Sequence, residues 1–124
     1  MLRFPKLEVR KIPKLGRGVF TLSPIKKDSI IEVCYAILLP IPEDAKHNPA
    51  VEYAFRWNKK HVAIALGNGS LYNHSYTPNA CIAQDTRSKT IEVYALQNIQ
   101  AGEQIFINYN GKPDCTDPLW FNVK

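Results

Sequence analysis

Cysteine is scarce and scattered in this chain: Cys34, Cys81 and Cys115 stand far apart. Three isolated thiols make neither a disulfide framework nor a metal cluster. His47, His61 and His74 add no ligand-like pairing to them, so no metal is expected. The thiols read as small buried hydrophobes in a reducing compartment. Long hydrophobic runs are missing too. The longest, Ile30 through Leu39, is interrupted by Glu32 and far too short to cross a bilayer. The start, Met1-Leu2-Arg3-Phe4-Pro5-Lys6, lacks the apolar stretch and cleavage site of a signal peptide. A soluble, non-secreted protein is the expectation.

Acidic residues are nearly absent from the first 27 positions, where eight basic side chains face Glu8 alone. The remainder holds eight basic residues against ten acidic ones, a surface toward which a basic substrate would be steered. The basic stretch has no interleaved aromatics of the kind that read nucleic acid, and a solvated strand face accounts for it. At 124 residues, residues 1–124 are read as a single domain, since two cores would each be too small to bury enough apolar surface.

Nine prolines and six glycines punctuate short segments, which points to a mostly β fold. Alternation or β-branched content predicts strands over Leu7–Ile12, Arg17–Leu22, Ile30–Leu38, His61–Leu66, Cys81–Asp85, Thr90–Leu96 and Gln104–Tyr109. Pro40 to Pro49 reads as a loop, and Val51–Trp57 as a short helix with Tyr53 and Trp57 one turn apart.

Three polar segments carry the chemistry. Gly16-Arg17-Gly18 lets the backbone approach a ligand closely, but no third glycine or helix follows to make a dinucleotide fingerprint. Gly67-Asn68-Gly69-Ser70-Leu71-Tyr72-Asn73-His74-Ser75, continuing to Pro78-Asn79, is a long polar turn. Gly102-Glu103-Gln104-Ile105-Phe106-Ile107-Asn108-Tyr109 is an apolar strand ending in a tyrosine. In this order they resemble the signature segments of the SET domain, the fold of most protein-lysine methyltransferases, and the resemblance spans nearly the whole chain.

That resemblance implies several short strands in small sheets (a β-clip-like fold), with the middle segment threading beneath the last to form a pseudoknot. It implies methyl transfer from S-adenosylmethionine, yielding S-adenosylhomocysteine, to a lysine ε-amine of a histone or similar basic protein. Gly16, Arg17, Gly18, Asn73 and His74 would hold the cofactor, His74 largely through its backbone. Tyr53 and Trp120 would add contacts, and Tyr109 would be catalytic as well as next to the cofactor. Tyr35, Tyr94 and Phe106 would line an aromatic channel for the substrate lysine. Tyr94 matches the family's product-specificity position, where tyrosine goes with monomethylation. A homodimer is implied by likeness to the smallest viral members. The location is cytoplasmic, or nuclear and chromatin-associated in a eukaryotic or viral source.

Departures from the pattern are Tyr109-Asn110 for the usual Tyr-Gly, Gly102-Glu103-Gln104 for Gly-Glu-Glu, and Tyr76 in the Asn-His-Ser-Cys motif. No cysteine-rich zinc cluster flanks the domain, so the tail at 110–124, with Asp114 to Phe121, is the expected closure of the site. Two rival readings are a SET-like binding module without activity and a small basic nucleic-acid binder.

Overall fold

A computed structural model describes residues 4–14, 16–43 and 54–109. These form strands β1 (Leu7–Ile12), β2 (Gly16–Thr21), β3 (Ile30–Pro40), β4 (Phe55–Arg56), β5 (His61–Ala65), β6 (Asn73–His74), β7 (Ala80–Asp85), β8 (Thr90–Ala95) and β9 (Gln104–Ile107), with a 3-10 turn at Gly69–Leu71. The mostly β expectation holds, and the predicted strands lie where alternation put them, with ends shifted by a residue or two. The helix expected over Val51–Trp57 needs correction. Phe55–Arg56 pairs antiparallel with Ala63 and Val62 of β5, and Phe55 is buried. A neighbouring strand satisfies that backbone where a helix would have used local bonds. Residues 51–53 lie outside the described residues.

Two sheets result. One runs β1-β2-β9-β6 and the other β4-β5-β3-β8-β7. The pairings are antiparallel except for one, in which Asn73 and His74 of β6 run parallel to Phe106 and Ile107 of β9. A single core joins the sheets. Val19, Ile105 and Ile107 from the first pack in one cluster with Cys34, Ala63, Ile91 and Val93 from the second. Each fully buried isoleucine of that cluster contributes roughly 1.5–3 kcal/mol relative to an exposed one. Cys34 and Cys81 are buried free thiols, as their isolation in sequence suggested.

β3 shows why aromatic content misleads as to face. Its residues are apolar on both sides, yet Cys34 is buried while Val33, Tyr35, Ile37 and Leu39 are exposed. A register shift between Ile30 and Glu32, where β3 meets β8, sets this alternation.

The loop after β6 is tied to β9 by one side chain. Asn79 donates from Nδ2 to the Gln104 carbonyl at 2.9 Å and accepts at Oδ1 from the Phe106 N–H at 2.8 Å. It occupies two backbone groups of β9 at once, in the manner of a missing strand. Asn79→Ala is therefore expected to cost about 1–3 kcal/mol by leaving both groups unpaired in a half-buried place. Chemical denaturation of the two proteins measures it, and an unchanged midpoint would mean that water replaces both bonds.

Candidate active site

Asn73, His74 and Tyr109 meet where β6 crosses β9. The Asn73 Nδ2 donates to the Arg17 carbonyl at 3.0 Å and to the Gln104 Oε1 at 2.8 Å. One amide thus ties Gly16-Arg17-Gly18, the start of β2, to β9. Gly18 is what permits the approach. A Cβ there would lie 2.5 Å from the Gln104 Oε1 and 3.0 Å from the Asn73 Nδ2. Gly16 has a φ of +88°, and among the described residues a Cβ on it would meet nothing within 4 Å.

His74 acts through its ring as well as its backbone. Its Nδ1 accepts the Tyr109 N–H at 3.0 Å, which places the ring proton on Nε2. That Nε2 is buried and has no hydrogen-bond partner among the described residues. Burial holds the imidazole below its ordinary pKa, so the neutral ring is the resting form. The ring also lies 5.1 Å from that of Tyr109 and 4.4 Å, edge on, from that of Tyr76. The tyrosine that replaces the usual motif cysteine thus packs against the motif histidine.

Tyr109 is half-buried against the core, and its hydroxyl donates to the Tyr72 carbonyl at 2.6 Å. A phenol has one proton to give. With that proton committed to a carbonyl, any further bond at this oxygen is one it accepts. Phe106 pairs with Asn73 and lies on the same face of β9 as Gln104.

The remaining expected residues divide. Tyr94 is half-buried on β8 and bonded to Cys81; that bond, then burial, pushes its phenol up to about 12. It pairs with Ile30 and Cys81, on the strand face opposite buried Val93 and Ala95. Tyr35 is 72% exposed on the outer row of β3, facing away from the Tyr72 side, because the strand's parity sends Cys34 inward. Neither is a hydrogen-bond or ring partner of Asn73 or His74. Tyr53, Trp120 and the tail at 110–124 lie outside the described residues. Gln104, Asn79 and the Tyr72 carbonyl went unforeseen, since their roles depend on partners 25 to 37 residues away.

Asn73 is also the residue best fitted to the implied cofactor. Both its bonds leave from Nδ2, so its Oδ1 is left to accept from an ammonium group such as that of a methionine moiety.

The depressed His74 pKa has a consequence for stability. Between its folded pKa and the ordinary 6.5 the unfolded chain binds more protons, so stability is present above pH 6.5 and falls as pH drops through that window. Protonation would also place a donor at Nδ1 against the Tyr109 N–H. The melting temperature is expected to decline as pH falls below 6.5, and the decline to flatten in His74→Gln. The Asp85 carboxylate, held low by Ser88 and Arg87 bonds, acts only below its ordinary 3.8 and does not overlap. Equal slopes in the two proteins would refute the assignment.

Comparison with known proteins matches this geometry. The SET domain family model covers residues 16–110. A histone-lysine N-methyltransferase from Schizosaccharomyces pombe (strain 972), specific for H3 lysine-37, is 34% identical over 98% of this chain and 80% of its own length. A solved Plasmodium falciparum structure described as a histone methyltransferase superposes with a TM-score of 0.67 at 35% identity, covering 86% of this chain and 99% of that one. The three motifs, the crossing of β6 with β9 and these matches agree: the chain belongs to the SET domain family.

Proposed function

We propose that this protein transfers a methyl group from S-adenosylmethionine to a lysine ε-amine of a histone or similarly basic protein. One observation carries the reading: consecutive residues of one short strand tie Arg17 at the start of β2 to Asn73 and the Tyr109 backbone to His74, with the Tyr109 hydroxyl oriented by the Tyr72 carbonyl.

When bound, the cofactor supplies an electrophilic methyl on a sulfonium. The residues of this chain do the rest. Asn73 Oδ1 holds the ammonium of the methionine moiety, and the Arg17 and Gly18 backbone lies alongside it. His74 offers its backbone to the adenine while its ring braces Tyr109. A lysine has an ordinary pKa near 10.4, so presenting it neutral at pH 8 costs roughly 3 kcal/mol. Apolar surroundings lower that cost by disfavouring the ammonium. Phe106 contributes on the Gln104 face. The Tyr109 oxygen accepts an N–H from the neutral amine, which aims the nitrogen lone pair at the methyl carbon. Alignment of this kind, with oriented dipoles around it, is the main source of rate.

A homodimer belongs to the same proposal. The exposed row Val33, Tyr35, Ile37 and Leu39 is the described apolar surface that a second copy would cover. Tyr35 would then contribute at the interface. A cytoplasmic or chromatin-associated location follows from the proposed substrate.

The test uses labelled cofactor with a panel of histones and cell extract. Tyr109→Phe is expected to lower kcat by roughly a hundredfold or more while binding S-adenosylhomocysteine like the wild type. Gly18→Ala is expected to do the reverse, weakening cofactor binding first, because its Cβ displaces Gln104 and Asn73. An active Tyr109→Phe protein would remove Tyr109 from the chemistry. Wild-type protein that binds cofactor yet labels nothing would favour the inactive binding module. Sedimentation as a monomer at micromolar concentration, with full activity, would remove the dimer.

A further inference from the structure

Behind the cluster sits a carboxylate that the proposed reaction does not use. Glu32 follows the register shift in β3, and its side chain turns toward the 3-10 turn Gly69–Leu71. A bulge of this sort re-aims a side chain. Its Oε2 accepts the Asn68 N–H at 3.0 Å, where the chain enters that turn. Its Oε1 accepts the Tyr72 hydroxyl at 2.6 Å, where the chain leaves it. The Cys34 thiol bonds to the same carboxylate; burial and then the Glu32 charge push it up to about 12. The same two causes, in the same order, push the Tyr72 phenol well above its ordinary range.

The place is built for the carboxylate. Gly67 has a φ of +67°, and a Cβ there would lie 2.5 Å from the Glu32 Oε2. Tyr72 itself is 1% exposed, so its ring has no alternative position without opening the core. Its backbone carbonyl is the acceptor for the Tyr109 hydroxyl. The path runs from carboxylate to phenol, through one residue's covalent frame, to carbonyl and second phenol.

We propose that Glu32 is a positioning residue for methyl transfer: by clamping both ends of the 68–72 turn it fixes the Tyr72 carbonyl, and through it the direction of the Tyr109 hydroxyl. Glu32 touches neither substrate nor cofactor. Its effect therefore falls on the chemical step and not on binding. The proposal rests on the lysine methyltransferase reading above.

Glu32→Gln keeps the size of the side chain, but its amide oxygen serves only one of the two donors at full strength. Tyr72→Phe keeps the buried ring and removes only the link. In each, kcat is expected to fall by roughly ten- to a hundredfold, as a small misplacement at a reacting centre does. The S-adenosylhomocysteine Kd and the substrate KM should stay within about twofold of wild type, a split that mere loss of stability does not produce. The double variant should be no slower than the slower single one, because both cut the same path.

Tyrosine labelled at Cζ with 13C gives a second reading that needs no turnover, with the Tyr109 resonance assigned by its loss in Tyr109→Phe. It should move in Glu32→Gln and in Tyr72→Phe. Unchanged kcat in folded variants, an additive double variant, or a Tyr109 resonance that stays in place would each overturn the proposal. Should Glu32→Gln not fold, Tyr72→Phe carries the same measurements. Should the wild type transfer no methyl group, the enzyme reading fails, and the resonance alone decides whether Glu32 governs Tyr109.

Discussion

The parallel pairing of Asn73 and His74 with Phe106 and Ile107 is the constraint on which the rest of the molecule depends. It joins segments some thirty residues apart, one of them too short to hold itself. Two ladder pairs give only about 1 kcal/mol per hydrogen bond, which does not exceed the entropy of ordering the residues involved. The crossing persists because other groups hold it. Ile105 and Ile107 bury the inner face of β9. Asn79 and the Ser75 N–H, which donates to the Ile107 carbonyl at 2.9 Å, fix the segment that follows β6. β2 closes the other edge of β9 through Val19 and Phe20. Apolar burial supplies the energy, and the polar side chains specify the register.

The groups upon that crossing are oriented by bonds within the chain, with no ligand needed. Asn73 and His74 occupy consecutive positions of one strand and so face opposite ways. One reaches the glycine turn, and the other reaches the Tyr109 backbone. The Asn-His pair is thus a divider: a side chain for the β2 side and a ring for the Tyr109 side. Family resemblance alone gives His74 a backbone role, whereas the buried ring adds a structural one. A neutral imidazole suits it, since a charged ring would have to be desolvated beside a backbone donor.

Most of the sheet was legible in the chain because alternation and β-branched content decide strands locally. β1, β2, β5, β7 and β8 are such cases. β6 was not, because two polar residues carry no period and pair only through distant β9. The segment near Phe55 misled for a related reason: aromatic spacing at one helical turn fits a helix, but the buried Phe55 answers to β5. Asn73, His74 and Tyr109 were legible as a motif, and Gly16 to Gly18 with them. Tyr35 was not placeable, since Ile30 through Leu39 is apolar on both faces and only the bulge settles which way each residue turns. Glu32 looked like an interruption of a hydrophobic run. Its partners, 36 and 40 residues away, exist only in the fold.

The sequence offers six tyrosines, and physical environment separates the two at the centre. Tyr72 gives its hydroxyl proton to a carboxylate from within the core. Burial and the adjacent negative charge both oppose its ionisation, and its oxygen is enclosed with its ring. Tyr109 gives its proton to a neutral carbonyl and remains only half-buried. The first phenol is closed in by the core and the second only partly so. The two phenols stand in series, one bonded to the Glu32 carboxylate and the other to the first one's own backbone carbonyl. Exchanging their environments would leave the motif intact in sequence and break both bonds, because the place of each tyrosine in the fold comes from where its proton goes.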